Sequence, residues 1–167
     1  MASSFQWACR RFDQLSLHDL YEILRLRDTV FVMEQQSIYG DLDGLDYSGY
    51  HVTGHEQNGK LVAYARFLAP GIVYQEATCI GRVAVIAEKR GQGVGHQLVT
   101  RTLELALLSF PNNAMKLSAQ THTAPFYQSF GFSVASEPYS EGGIMHIDMY
   151  RLPPSTSCKA NTMPSTQ

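Results

Sequence analysis

The chain has 167 residues, 44% of them hydrophobic, and a formal net charge of −2 at pH 7. That length suits one domain with a sizeable core, and the charge gives no general attraction to nucleic acid or to an anionic membrane. No apolar run is long enough to span a membrane, and the first residues lack the apolar stretch of a signal peptide, so we expect a cytoplasmic protein. Three scattered cysteines, Cys9, Cys79 and Cys158, predict neither a disulfide framework nor a metal site.

The first half of the chain carries a helix signal and a hairpin signal. The hydroxyl of Ser16 is placed to cap a helix, and apolar residues follow it at three- and four-residue spacing. The dipeptide Asn58-Gly59 favours a two-residue turn between two alternating stretches. The predicted elements are a helix from Ser16 to about Val32, a loop over 39–46, and strands over 51–56 and 60–68.

The second half contains a strand, a long helix and another strand, in the order that makes a parallel crossover. The long helix ends before Pro111, because the residue that precedes a proline resists helical dihedrals. The predicted elements are a strand over 79–86, a helix from about Gly93 to Ser109, a strand over 115–119, a short helix from about Thr123 to Phe130, and a closing pair of strands near 132–135 and 144–151.

Together these elements predict an α/β (α+β) fold, with a mixed, mostly antiparallel central sheet flanked by helices. One strand–helix–strand crossover, from about Cys79 to Ala119, supplies the parallel pair. We assign 1–152 to this single domain. The remaining 153–167 are too poor in large apolar groups to offset the entropy of ordering them, so we expect a disordered tail.

Three glycines alternate where the crossover helix begins, in the run Arg90-Gly91-Gln92-Gly93-Val94-Gly95. Glycine lets the backbone approach a bulky anion, and the free amides of a helix's first turn point along its positive end. Neither the spacing nor the lysine of a P-loop is present, and His96 stands where a dinucleotide fingerprint needs its last glycine. The run therefore predicts a phosphate-binding turn; the alternative is a turn that only tightens the strand–helix connection.

A second motif lies downstream, where Tyr127 is followed by Gly131-Phe132. The glycine run after a valine-rich strand resembles the pyrophosphate arm of the GNAT acetyltransferase superfamily, and the tyrosine motif resembles that superfamily's Tyr-x-x-x-Gly-Phe signature. Further runs are similar to its ElaA-like branch, namely those over 26–35, 41–46, 62–66 and 80–83. The likeness covers about residues 5 to 152 and implies a GNAT-like fold and an acyl-coenzyme A dependent N-acyltransferase.

The resemblance also implies how acetyl-coenzyme A is held as cosubstrate, with no metal. Main-chain groups would pair with the amides of the pantetheine arm and polarise the thioester carbonyl, and the amides of the glycine run would take the pyrophosphate, with Arg90 adding charge. Gln120 stands where an asparagine that contacts the arm is usual. The implied residues are Val83, Ala84 and Val85 for the arm, and Arg90, Gly91, Gln92, Gly93, Val94 and Gly95 for the pyrophosphate.

Tyr127 is implied to protonate the departing sulfur; the alternative is a packed tyrosine whose hydroxyl bonds to a backbone carbonyl. Glu34 and Glu76 are the candidate general bases, against the alternative of solvated surface carboxylates. The histidines at 51, 122 and 146 are further candidates, although structural roles are commoner for such residues.

An acidic loop contains Asp41, Asp43 and Asp46, with Glu34 near it in sequence. It would either select a cationic substrate, such as a polyamine, an aminoglycoside or a lysine side chain, or consist of ordinary solvated turn carboxylates. The position of its glycine and the lack of a final glutamate exclude a calcium loop of the EF-hand type.

We therefore expect transfer of an acetyl or similar acyl group from acetyl-coenzyme A to a primary amine of a small molecule or protein, directly, in a ternary complex. The enzyme would be a monomer or a homodimer and would bind neither nucleic acid nor membrane. One alternative is a non-catalytic module that binds acyl-coenzyme A for regulation. Another is an acyl-homoserine-lactone-type synthase that shares the fold. The loops that shape the acceptor cleft give no sequence signal for the acceptor.

Overall fold

The computed structural model describes residues 5–36 and 40–154. Its α-helices are α1 (Leu17–Arg27), α2 (Val94–Ser109) and α3 (Ala124–Gln128), and α1 continues directly as a π-helix, Asp28–Glu34. Most of the predicted tail, and Cys158 with it, lies outside the described residues. The strands of the described part are β1 (Gln6–Arg11), β2 (Gly49–His55), β3 (Leu61–Leu68), β4 (Ala77–Val85), β5 (Ala114–Gln120), β6 (Ser133–Val134), β7 (Tyr139–Glu141) and β8 (Ile144–Arg151).

These strands form one sheet in the order β1-β2-β3-β4-β5-β8-β6, and β7 also pairs with β8. Every neighbouring pair is antiparallel except β4 and β5, which are joined through α2. The prediction of a mixed, mostly antiparallel sheet with one crossover is confirmed. The β2–β3 hairpin also turns where Asn58-Gly59 predicted, with Gly59 at a φ of +86°.

Two strands, β1 and β7, lie outside the predicted elements. β1 carries two arginines, and its apolar and polar residues alternate only weakly. A contact between residues that are distant in sequence holds it in the sheet. The ring of Trp7 packs directly on Gly54 of β2, where a Cβ atom would lie 2.5 Å from the ring. β7 has only three residues, which is too short for any periodicity to be visible.

The helices cover opposite faces of the sheet. The hydroxyl of Ser16 accepts a hydrogen bond from the amide of Asp19 at 3.0 Å and so begins α1 as predicted. α1 and the π-helix pack on Tyr64 and Ala84 through the buried side chains of Ile23, Leu26 and Val30. α2 packs on the other face, where its buried side chains join the main apolar core with those of β2, β3, β4, β5 and β8.

The parallel strands β4 and β5 stay together for only three residue pairs. Ala77 lies opposite Ala114, and the last pair joins Cys79 to Lys116. Beyond that pair the two strands have no mutual register, so residues 80–85 and 117–120 border a V-shaped gap, which we call the β4–β5 opening. Strand borders without a neighbour present backbone N–H and C=O groups that need partners.

The acidic loop packs against arginines and not against solvent. Arg27 of α1 is fully buried, and its guanidinium lies 2.6 Å from Asp41 and 2.7 Å from Asp46. Arg66 of β3 lies 2.5 Å from Asp43 and 2.7 Å from Asp46. Although burial opposes ionisation, hydrogen bonds from Arg66 hold the pKa of Asp43 well below its ordinary value. Together with Arg82 of β4, these six residues form what we call the Arg–Asp cluster.

The interpretation of this loop as solvated turn carboxylates is therefore wrong. The side chain of Asp41 is only 7% exposed, and that of Asp46 is 12% exposed. Selection of a cationic substrate by these carboxylates has no structural support either, because their charges are compensated by arginines of the same chain. The sequence could not show the pairing, since Arg66 and Asp46 are 20 positions apart and meet only in the folded sheet.

We predict that Arg27→Leu lowers the free energy of unfolding by roughly 3–5 kcal/mol, because it removes an arginine partner from each of two buried carboxylates, Asp41 and Asp46. The matched control is Arg25→Leu, two positions earlier on α1, where the arginine is exposed and pairs with Glu22; it should cost less than about 1 kcal/mol. Urea unfolding followed by circular dichroism measures both. Equal losses in the two variants would contradict the assigned role of the cluster.

Candidate active site

The backbone of β4 bulges where it borders the β4–β5 opening. Tyr64 of β3 pairs with Ala84, whereas Arg66 pairs with Gly81, so β4 contains one extra residue in this interval. Arg82 sits in the bulge with a φ of +53°, a conformation that costs a non-glycine residue roughly 1–2 kcal/mol.

The side chain of Arg82 is anchored to the acidic loop. Its Nε lies 2.7 Å from a carboxylate oxygen of Asp41, although without hydrogen-bond alignment. Its Nη2 donates to the backbone carbonyl of Asp41 at 3.0 Å and lies 3.2 Å from Asp43. Through these contacts the Arg–Asp cluster holds the bulge of β4 in place.

The direction of the β4 backbone beyond the bulge follows from its ladder with β3. The amide of Ile86 donates to the carbonyl of Val62 at 3.0 Å, and backbone groups of alternate residues point to the same side. Ala84 therefore points its N–H and C=O toward β3, whereas Val83 and Val85 point theirs into the β4–β5 opening. Of the three residues predicted to pair with a pantetheine arm, this geometry leaves two whose main chain faces the opening.

The glycine run makes an open turn between β4 and α2. Gly91 and Gly93 have φ values of +72° and +78°, and a Cβ atom on either would meet no other atom within 4 Å. Gly93 precedes α2 without any side-chain cap, so amides of the first turn face outward. Val94 is buried and fastens the turn to the core, while the side chain of Gln92 donates to the carbonyl of Glu88 at 2.8 Å.

Arg90 ties this turn to its surroundings. Its Nε donates to the carbonyl of Val85 at 2.9 Å, and its Nη2 lies 2.6 Å from the carboxylate of Glu34 at the end of the π-helix. On the far side of the β4–β5 opening, the side-chain Nε2 of Gln120 donates to the side-chain Oε1 of Gln35 at 3.0 Å. The end of the π-helix thus reaches both borders of the opening. Gln35 was not predicted as a site residue, although it closes the run that resembles the ElaA-like branch.

Tyr127 lies in α3, packed between aromatic rings. Its ring centroid is 5.1 Å from that of Phe126 and 6.2 Å from that of Phe132, both in edge-to-face geometry. Phe126 also lies beside Gly95, so α3 is next to the glycine turn. Within 5–36 and 40–154 no protein group hydrogen-bonds to the hydroxyl of Tyr127, which does not favour the alternative of a tyrosine tied to a backbone carbonyl. Burial raises the pKa of Tyr127 to about 12, so the hydroxyl is protonated at neutral pH.

The two candidate bases lie far apart. Glu34 is beside the glycine turn, paired with Arg90. Glu76 precedes β4 at the paired end of the strands, where its carbonyl accepts a hydrogen bond from Asn113. Val83 lies seven positions after Glu76 along the extended chain, a span of roughly 20 Å. The structure therefore brings Glu34, but not Glu76, to the open end of the gap.

The histidines occupy three different settings. His51 is buried: its Nε2 donates to a backbone carbonyl of the acidic loop at 3.0 Å, and its Nδ1 accepts from Tyr64 at 2.8 Å, which leaves no nitrogen free for a substrate. Burial also lowers the pKa of His51. His122 is exposed in the turn after β5, and His146 of β8 donates from Nδ1 to the carbonyl of Ile144 at 2.8 Å.

Across the described part of the chain, no group of three or more histidine, cysteine, aspartate or glutamate side chains is arranged to hold a metal ion. None of the helices in that part is long and apolar enough to cross a membrane.

The chain is similar to several known proteins over most of its length. It is 44% identical to the ElaA protein of Escherichia coli over 148 residues, which is 87% of this chain and 95% of that protein. It is 40% identical to a UPF0039 protein of Synechocystis over 149 residues, 89% of this chain and 96% of that protein.

Solved structures agree. The crystal structure of an acyl-CoA N-acyltransferase from Pseudomonas aeruginosa superposes with a TM-score of 0.84 at 39% identity, and that of Escherichia coli ElaA with 0.83 at 42%; both cover 89% of this chain and 99% of the other. The acyl-homoserine lactone synthase BjaI shares the fold at a TM-score of 0.72 but only 15% identity. A family model described as an acetyltransferase (GNAT) domain matches residues 24–152. The chain belongs to the GNAT acetyltransferase family, with ElaA among its relatives.

Proposed function

We propose that the chain transfers an acetyl or similar acyl group from acetyl-coenzyme A to a primary amine, directly, in a ternary complex. The observation that carries the proposal is the β4–β5 opening, whose β4 border leads into a turn of outward-facing amides. The free backbone groups of β4 match a cosubstrate's peptide-like arm, and the outward-facing amides of the turn match its anionic tail. The description of the Pseudomonas aeruginosa neighbour as an acyl-CoA N-acyltransferase supports the same reaction class.

The arm of the cosubstrate would take the place of the missing strand neighbour. Val83 offers both its N–H and its C=O to the β4–β5 opening, and Val85 offers its N–H while Arg90 occupies its carbonyl. The side chain of Gln120 closes the far border. Each pantetheine amide that pairs with these groups satisfies a backbone donor or acceptor that the sheet itself leaves free.

The glycine turn would hold the pyrophosphate. Positive φ at Gly91 and Gly93 turns successive amides outward, and the N-terminal end of the 16-residue α2 adds a positive dipole. Because no side chain projects from these two positions, a bulky anion can approach the main chain. Arg90 adds positive charge at the edge of the turn, partly compensated by Glu34.

The bulge of β4 would aim an amide at the thioester carbonyl. Main-chain amides that are fixed before reaction stabilise developing negative charge without reorganising. The amide of Val83 follows Arg82 directly, and the Arg–Asp cluster holds Arg82 in its left-handed conformation. This arrangement makes Val83 our candidate for polarising the carbonyl.

Tyr127 would supply a proton at the leaving sulfur, because the residue is half-buried and its hydroxyl is protonated and has no protein partner in the described chain. For the base we propose Glu34 acting through water, since it lies at the open end of the gap. Its carboxylate also pairs with Arg90. An amine that loses its proton to water before it binds needs no base from the chain.

We predict that Gly93→Asp weakens coenzyme A binding by about 100-fold or more, because it sets a carboxylate against the pyrophosphate. The matched control is Gly71→Asp, which has a similar positive φ and equally open surroundings in the turn between β3 and β4. Isothermal titration calorimetry measures both. Unchanged affinity in Gly93→Asp, with both variants folded, would contradict the proposed site.

We predict that Tyr127→Phe lowers kcat by about 10²- to 10⁴-fold and changes the Kd of coenzyme A by less than about threefold. Thiol release from acetyl-coenzyme A with a panel of amines measures the first, and calorimetry measures the second. Tyr21→Phe, at an exposed position of α1, is the control and should leave both unchanged. A wild-type chain that binds acetyl-coenzyme A but acetylates no amine in the panel would favour the non-catalytic binding module.

We predict that Arg82→Ala and Arg82→Gly both lower kcat, because both release the bulge from Asp41 and Asp43, but that they differ in stability. Alanine keeps the strain of a positive φ, whereas glycine adopts it freely, so the glycine variant should be more stable by about 1 kcal/mol. Thermal unfolding and the thiol assay check the two parts. An alanine variant as stable as the glycine variant would show that the bulge relaxes once the arginine is lost.

A further inference from the structure

A network of hydrogen-bonded side chains lies on the sheet face opposite α2 and has no role in the proposed binding of the cosubstrate. Ser118 of β5 and Asp148 of β8 are direct cross-strand neighbours, and Tyr139 of β7 reaches over both. The hydroxyl oxygens of Ser118 and Tyr139 are 2.5 Å apart, and the Tyr139 hydroxyl donates to a carboxylate oxygen of Asp148 at 2.7 Å. Lys116 lies 2.9 Å from the other carboxylate oxygen.

The direction of these hydrogen bonds is set by Asp148. Although burial opposes ionisation, hydrogen bonds from Tyr139 and Lys116 lower the pKa of Asp148, so it is a carboxylate that only accepts. Tyr139 must therefore give its single proton to Asp148, and it can only accept from Ser118. Ser118 therefore gives its proton to Tyr139, which leaves its Oγ free to accept a hydrogen bond.

Ser118 stands where a substrate would meet the acyl group. The last paired position of the parallel strands joins Cys79 to Lys116, and Ser118 is two residues farther along β5, on the same face and exposed. Ser118 therefore belongs to the β5 border of the β4–β5 opening. No other group in the described residues hydrogen-bonds to its hydroxyl.

The carboxylate of Asp148 is paired with a lysine. Lys116 neutralises Asp148 and places its ammonium 4.5 Å from the centre of the Tyr74 ring. A ligand at Ser118 therefore meets an oriented hydrogen-bond acceptor and not a bare negative charge. Such a site holds an amine through its N–H bonds whether or not the nitrogen is protonated, and an attacking amine must be unprotonated.

We propose that Ser118 binds the amino group of the acceptor by accepting an N–H hydrogen bond, and that Tyr139 and Asp148 fix the direction of its hydroxyl. The inference rests on the proposed function, since it places the acceptor beside the bound thioester. It assigns the acceptor's entry to the sheet face opposite α2. It also gives Ser118 a specificity role, because an isosteric group without a hydrogen-bond donor makes no hydrogen bond to this oxygen.

The test uses two nonreactive probes that differ only at their ends. S-(2-aminoethyl)-coenzyme A ends in an amino group near the expected position of the acceptor nitrogen, and S-propyl-coenzyme A ends in a methyl group of similar size. Calorimetry with the full-length chain should show the amino probe binding about tenfold more tightly than the propyl probe. Ser118→Ala should abolish that preference and leave the affinity for the propyl probe unchanged.

Two further variants make the result specific. Tyr139→Phe removes the group that orients the serine and should reduce the preference, whereas Ser133→Ala, at an exposed position of β6, should retain it in full. Thermal unfolding checks that each variant is folded. A wild-type chain without preference, or a Ser118→Ala chain that keeps it, would overturn the acceptor site while leaving coenzyme A binding intact. Failure of both probes to bind would overturn the proposed function itself.

Discussion

Two parallel strands that pair over three positions and then separate leave a row of backbone groups without partners in the middle of a sheet. On the β4 side of this separation, the Arg–Asp cluster joins α1, β3, the acidic loop and the bulge of β4. Buried ion pairs add little net stability compared with apolar packing, but each member is costly to remove. The cluster therefore fixes a geometry more than it strengthens the fold.

The parts of the fold that the sequence predicted depend on neighbouring residues. The serine cap of α1, the Asn58-Gly59 turn and the strand–helix–strand crossover are each specified within a few positions of the chain. The parts that it missed depend on contacts across the sheet. β1 is stabilised by Trp7 against Gly54, 47 positions away, and the pairing of β4 with β5 stops after three positions. No local pattern encodes either.

The candidate site divides in the same way. The glycine turn and Tyr127 were visible as motifs because main-chain conformation and one aromatic ring suffice to define them. The contacts of Arg90 with Glu34 and of Gln120 with Gln35 span 56 and 85 positions and required the fold. Ala84 was predicted to pair with the pantetheine arm together with Val83 and Val85. Only the hydrogen-bond register between β3 and β4 tells which of these backbone groups face the β4–β5 opening. The acidic loop was misinterpreted because its three arginine partners come from other elements.

The two faces of the sheet carry different chemistry, and the β4–β5 opening lies between them. The glycine turn and Tyr127 belong to the α2 side, while Ser118, Tyr139 and Asp148 belong to the other. A covalent relay between the faces would need a nucleophile in the gap. Cys79 is the cysteine at its narrow end, but burial raises the pKa of its thiol to about 11, so almost none of it is thiolate at neutral pH. The proposed reaction therefore does not use Cys79. Direct attack of the amine on an acyl group held from the other side requires both substrates to be bound together.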